Sequence, residues 1–294
     1  MERRTTAAAA AALLLQAIAP SPAPATQDLW GTNGKVNALV ESDGVLYLGG
    51  NFSQLVFPTG SLVQLDPVNG APSPTFPSAL GDVYCIVPDG GGGWYVGGAF
   101  SHVGGVPRQR LAHVNSDFTI SDWDPSPNSS VRRIVVEGQT VYVAGYFSSI
   151  GGAARTYLAA FDAATGQLLP WNPSPDGYAD AMDVDGGTVY VGGRFQNIGG
   201  QPRNYLAALD GTTGNATTWN PDPNLWIESI AVIGPEVYVG GWFFTIGGQS
   251  RERLAALDPV TGAPSSWSPN PNDHVDLVVP NGSSVYVAGT FDTI

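Results

Sequence analysis

The strongest constraint on this chain is a five-residue block, V-Y-V-G-G or a close relative, that returns at a period of about 48 residues with its tyrosine at Tyr47, Tyr95, Tyr142, Tyr190, Tyr238 and Tyr286. A phenylalanine follows each block, at Phe52, Phe100, Phe147, Phe195, Phe243 and Phe291. A second block, L-A-A-L-D-x-x-T-G, runs over 206–214 and recurs over 158–166 and 254–262, with looser copies over 62–70 and 111–115. An aromatic residue follows, usually as W-N-P-x-P or a variant, at Phe76, Trp123, Trp171, Trp219 and Trp267, and Trp30 occupies the same place before the first repeat. Self-similarity at a fixed period means one small structural unit, copied and stacked on itself.

Each unit reads as four short strands. An apolar first strand ends in a turn such as Asp185-Gly186-Gly187, and V-Y-V-G-G forms the second strand of a hairpin. An I-G-G-x-x-R loop leads to L-A-A-L-D, whose aspartate is placed to cap the D-x-x-T-G turn. The tryptophan segment is the fourth strand, closed by Pro-x-Pro. Four strands per unit at this period predict an all-β fold, a β-propeller of four-stranded blades in which the recurring Tyr, Phe and Trp bury area between sheets. A β-solenoid is also repetitive and glycine-rich, but its coils are shorter and carry fewer hairpin signals. The 38 glycines and 24 prolines among 294 residues fit a structure dense in turns.

Residues 1–25 read as a secretory signal, with Arg3 and Arg4, an apolar stretch over 5–19 and a small-residue cleavage site at Ala23-Pro24-Ala25. The apolar run is shorter than the roughly 20 residues a spanning helix needs. The expected location is secreted or cell-surface, with no membrane insertion after cleavage. The propeller is expected over 26–294, with Trp30-Gly31-Thr32-Asn33 supplying an outer strand. Ile294 matches Ile150, Ile198 and Ile246, each followed by Gly-Gly, so the sixth repeat reads as C-terminally incomplete. Cys85 is the only cysteine, which excludes an intrachain disulfide.

The combined pattern V-Y-V-G-G-x-F-x-x-I-G-G-x-x-R-x-x-L-A-A-L-D resembles the delta-60 repeat of secreted and surface bacterial propellers, across residues 30–294. The D-x-x-T-G turn followed by tryptophan is also similar to repeats of pyrroloquinoline-quinone dehydrogenases. The delta-60 resemblance implies fold and location but no catalytic residue. This chain departs from that group in carrying D-x-x-T-G where an N-x-D-G turn is usual.

Residues that recur in every unit serve the scaffold, because a site needs particular groups while a scaffold needs identical ones. Arg108, Arg155, Arg203 and Arg251 are therefore expected to bond backbone carbonyls, and Asp66, Asp162, Asp210 and Asp258 to cap turns rather than ligate calcium. Columns that vary inside the fixed frame are the candidates for function. One, at the start of each first strand, holds Lys35, Ser130, Tyr178, Trp226 and His274, with Asp82 in its place in the second repeat after one inserted glycine. Two residues on stand Asn37, Arg132, Asp180, Glu228 and Asp276. Near a channel mouth, Tyr178 and Trp226 beside Asp180, Glu228 and Asp276, with His274, would suit a glycan or a cationic group.

A net charge of −13 argues against nucleic acid and anionic membranes as partners. Three histidines and one cysteine leave little material for a nucleophilic triad or a histidine-rich metal centre, so no cofactor or metal is expected. The first functional expectation is a non-enzymatic binding or scaffold module for an extracellular glycan or protein. The alternative is a secreted carbohydrate-active or quinone-dependent enzyme, for which Asp180, Glu228 and Asp276 are the nominated acids and bases.

Overall fold

The computed structural model describes residues 33–42, 45–55, 57–58, 60–281 and 284–294. The signal stretch 1–25 and the Trp30-Gly31-Thr32 strand expected before the first repeat lie outside the described residues. Among those described, every regular element is a β-strand and every pairing is antiparallel. The chain divides into two compact units, up to Val131 and from Arg132 onward.

In the first unit, Lys35–Ser42, Val45–Asn51 and Leu62–Leu65 form one sheet. Ala79–Pro88, Trp94–Val103, Val106–Pro107 and Leu111–Val114 form another. The second unit repeats one plan more strictly. Ala179–Asp185, Thr188–Gly193 and Leu206–Asp210 pair in that order, as do Ile227–Ile233, Glu236–Gly241 and Leu254–Leu257, with Val275–Asn281 and Ser284–Gly289 after them. In the first unit Tyr47 faces Gln64 and Tyr95 faces His113, whereas here three recurring tyrosines sit opposite an alanine of L-A-A: Tyr142 against Ala160, Tyr190 against Ala208 and Tyr238 against Ala256. A large ring on one strand is thus accommodated by a small side chain on the next.

The strands Thr140–Gly145, Thr188–Gly193 and Glu236–Gly241 are buried along most of their length because both of their faces are covered. Val189 and Val191 pack in one core with Tyr142 and Trp171, while Tyr190, pointing the other way, packs in the next core with Trp219 and Val237. The tryptophans also tie successive repeats together: Trp171 Nε1 donates to the Asp210 carbonyl at 3.1 Å and Trp219 Nε1 to that of Asp258 at 2.9 Å. Each ring meets the tyrosine of its own repeat edge-on, Tyr142–Trp171 and Tyr190–Trp219 both at 5.2 Å, an arrangement favoured by the ring quadrupoles.

The two glycines of V-Y-V-G-G do different jobs. A Cβ on Gly192 would lie 2.5 Å from Ile227 Cγ2 of the following sheet, and one on Gly240 2.7 Å from Val275 Cγ1, so the first glycine sets how closely sheets pack. A Cβ on Gly193 would lie 2.1 Å from the Tyr178 carbonyl, with the same clash at Gly50, Gly98, Gly241 and Gly289. The second glycine therefore admits the chain at the start of the first strand. The clash of Gly98 with the Asp82 carbonyl places Asp82 in the Tyr178 column, with the inserted glycine in the Gly90–Gly93 turn that separates it from Tyr95.

The fourth strand is much reduced. The segment after each D-x-x-T-G turn meets the third strand at a single bridge, Phe161 with Leu168, Leu209 with Ala216 and Leu257 with Pro264. Its Pro-x-Pro end lacks N–H donors, and Ser174, Asp222 and Asn270 there adopt φ of 45–51°. The recurring arginines hold it instead: Arg108 donates to Ser121 O, Arg155 to Leu169 O, Arg203 to Thr217 O and Arg251 to Ser265 O. These are the backbone carbonyls expected of a scaffold residue. Asp162, Asp210 and Asp258 accept the amide and hydroxyl of the threonine three residues on, which caps their turns and lowers their carboxyl pKa.

Candidate functional site

The candidate residues lie where the first strand of each sheet begins, and the backbone there is bulged. Pairing steps from Ala179–Gly193 to Ala181–Gly192, so Asp180 is the extra residue; Glu228 and Asp276 occupy the same place in the next two sheets. Bulges re-aim a side chain out of the pleat, and three acids in succession occupy this position. The residue before each recurring phenylalanine is hydrogen-bonded to the start of the same sheet's first strand: Arg194 N to Tyr178 O, Trp242 N to Trp226 O, Thr290 N to His274 O.

That link brings in a third column, which sequence reasoning missed: Asn51, Ala99, Tyr146, Arg194, Trp242 and Thr290. Its signal was present, since it is the position inside V-Y-V-G-G-x-F at which all six copies differ. In the second unit the three columns interlock into sets of base, ring and acid. Arg132 lies over the Tyr146 ring at 5.4 Å, and Tyr146 donates its hydroxyl to Asp180 Oδ1 at 3.2 Å. Arg194 lies over the Trp226 ring at 4.5 Å and pairs with Glu228 Oε1 at 3.2 Å. His274 stacks on Trp242 with centroids 3.9 Å apart and an interplanar angle of 13°, and its Nε2 lies 3.4 Å from Asp276 Oδ1.

The sets are joined to one another. Arg194 Nε also pairs with Asp180 Oδ2 at 3.1 Å, so one guanidinium spans two acids on neighbouring sheets. Trp226 and Trp242 meet edge-on at 6.4 Å, and Tyr178 packs against Tyr146 at 4.5 Å and Tyr157 at 5.2 Å. All six candidates from the sequence, Tyr178, Asp180, Trp226, Glu228, His274 and Asp276, thus belong to one connected cluster. Asp180 is buried, whereas Tyr178 and Trp242 keep 42% and 38% of their surface open, enough to receive something flat.

Electrostatics follow from this crowding. Burial opposes the Arg194 charge, but Asp180 and Glu228 beside it outweigh that and raise its pKa. Burial, and then the Asp180 charge, push the Glu228 carboxyl above its usual range despite Arg194. Tyr146 is raised by the same two causes. A different acid stands at mid-strand: Asp183 accepts the Val232 amide of the next sheet at 2.7 Å, and burial drives its pKa to about 6. Among the described residues no group of His, Cys, Asp and Glu is arranged to hold a metal ion.

The corresponding positions of the first unit are plainer. Lys35 is exposed and Asn37, on its own bulge, donates to Val83 O at 3.1 Å. Tyr84, the bulged residue of the second repeat, lies 3.4 Å from Asp82 Oδ2, and Ala99 fills the third column.

A family model described as a domain of unknown function (DUF5122) β-propeller matches residues 187–210, which hold one V-Y-V-G-G strand and the L-A-A-L-D strand paired with it. Among solved structures, the extracellular domain of a protein described as a one component system from B. thetaiotaomicron aligns with a TM-score of 0.55 at 15% identity, over 87% of this chain and 32% of that chain. A computationally designed protein aligns at a TM-score of 0.46 and 14% identity, over 89% of this chain and 96% of that one. A nidogen–laminin complex aligns at 0.48 and 12%, over 79% of each chain. No curated protein matches in sequence. At such identities the likeness is one of fold: the chain is an all-β repeat protein of β-propeller type.

Proposed function

We propose that this protein is a secreted or cell-surface binding module of the delta-60 kind, built from six repeats, and that its ligand seats on the cluster around Arg194. The observation that carries this reading is the concentration of base, ring and acid at the positions where the repeats differ. A scaffold alone has no use for three such sets on three successive strand starts, because the first unit builds the same bulges from Asn37 and Tyr84 without them. Binding is favoured over catalysis because the acids are already engaged. Asp180 spends one oxygen on Tyr146 and the other on Arg194, and Glu228 spends one on Arg194, so neither stands as a free base beside an open space. The location rests on the signal-like residues 1–25. N-terminal sequencing of exported protein checks it, with a start near Thr26 expected.

Trp226 and Trp242 are natural reporters of the test. Titrating the full chain with a panel of oligosaccharides, peptides and amines should give a saturable change in tryptophan fluorescence. The combined Tyr178→Ala and Trp242→Ala variant should lose it, while Lys35→Ala should not. Binding unaffected by the double variant, or no saturable ligand in the panel, overturns the proposed face. Turnover of any panel member, or quinone-dependent dye reduction, would favour the enzymatic alternative.

A further inference from the structure

The cluster's charge balance narrows what it can receive. Two of the sets pair a guanidinium with a carboxylate, Arg132 with Asp180 through Tyr146 and Arg194 with Glu228, and the third puts the His274 imidazole beside Asp273 and Asp276. Against a cationic ligand, Arg132 and Arg194 already lie over the Tyr146 and Trp226 rings, and their charges stand beside the rings that remain open. An anionic ligand would approach a chain of net charge −13 and meet Asp180, Glu228 and Asp276 together. What remains is an uncharged ligand that uses fixed donors and fixed acceptors at once. Arg194, spread between two carboxylates, presents such a mixed set, and Tyr178 and Trp242 beside it offer open ring surface.

The arrangement also recurs. The same three columns supply the sets on three consecutive strand starts, and Trp226 touching Trp242 makes the second and third sets contiguous. A protein surface that repeats is matched by a ligand that repeats. We infer that the ligand is an uncharged, hydroxyl-rich oligomer, a neutral glycan bound across several of its sugar units. Flat apolar sugar faces would lie on Tyr178 and Trp242, and hydroxyls would bond the Arg194 guanidinium and the Glu228 carboxyl. This inference rests on the binding reading above and deepens it.

The test is a length series of gluco-, manno-, galacto- and xylo-oligosaccharides from one to six units, titrated by calorimetry into the full chain at low and high salt. Chitosan oligomers, oligogalacturonate and a mixed peptide set form the other arms. One neutral series should tighten by about tenfold or more between one and three units and level off beyond, as linked contacts add up. Its affinity should not move with salt, because no ion pair forms with the ligand. Trp242→Ala and Tyr178→Ala, which touch exposed rings, should each cost about tenfold with an unchanged melting transition, and Arg194→Lys should weaken binding by removing the planar fork. Equal affinity for one unit and six, or binding confined to the charged oligomers or peptides and still lost in the ring variants, overturns the neutral glycan while leaving the binding face intact. Loss of neither kind in the ring variants overturns both.

Discussion

The two units of this chain build the same bulge with opposite consequences. At Gly50 and at Gly193 a side chain would strike the carbonyl of the residue that begins the first strand at the same 2.1 Å, so the backbone plan is shared. Yet the side chains it presents are Lys35, Asn37 and Asn51 in one case and Tyr178, Asp180 and Arg194 in the other. The first unit uses its bulge residue locally, with Asn37 bonding the next strand's Val83 carbonyl. The second unit uses it to join sheets through Arg194 and to build an exposed aromatic surface. The lesson is that scaffold and site occupy different columns of one repeat, and that the site columns can change without disturbing the scaffold.

The comparison can be broken most forcefully at the tryptophans. Trp219 is 3% exposed and bonded to the next repeat, whereas Trp123 of the first unit is only half-buried. Trp219→Ala should cost about 3–5 kcal/mol in urea denaturation and Trp123→Ala clearly less; equal costs would mean the first unit is packed as tightly as the second. At the shared glycines the expectation reverses. Gly50→Ala and Gly193→Ala should each cost about 2–3 kcal/mol, because the same backbone contact is violated, and an effect in one unit alone would show that the bulge is not a common device.

Acid dependence separates the units again, with a smaller effect. Asp183 stands in a column otherwise filled by Val40, Val87, Val135, Ala231 and Val279. Burial raises its folded pKa to about 6, above the unfolded value near 4, so the folded state binds the extra proton between them. Stability from this group is therefore present below about pH 4 and lost as pH rises through 6, by on the order of 2 kcal/mol. Asp183→Asn, which keeps an acceptor for the Val232 amide, should flatten that decline in melting curves recorded between those pH values. An unchanged slope would place the titration elsewhere. The smallest expected effect is on stability at the exposed rings: Tyr178→Ala and Trp242→Ala should stay within about 0.5 kcal/mol of the parent, as Lys35→Ala should. A larger loss would mark the rings as scaffold after all.

Much of the architecture was legible because repetition multiplies weak signals. One V-Y-V-G-G says little, but six in register, five of them with a following L-A-A-L-D or looser copy, imply strands, hairpins and sheets packed on both faces. The scaffold roles of Arg203 and Asp210 were legible for the same reason. The fourth strand was overread, since the apolar residues before each tryptophan suggest a strand while the prolines after it remove the donors a ladder needs. The tight contact at Gly193 was not foreseen either, because a glycine's meaning depends on which carbonyl passes it.

Sequence alone determined the period, the all-β class, the acidic charge and the columns where function could reside, since each is a property of residues counted along one chain. Only the tertiary structure decided that Arg194 would span Asp180 and Glu228, that Trp242 would lie under His274, and that a base, a ring and an acid would close into sets. Arg194 lies 14 residues from Asp180 and 34 from Glu228, and Trp242 lies 32 from His274. They meet because a bulge turns one side chain out of its pleat and a neighbouring sheet brings the next within reach, and neither event is written at any single position.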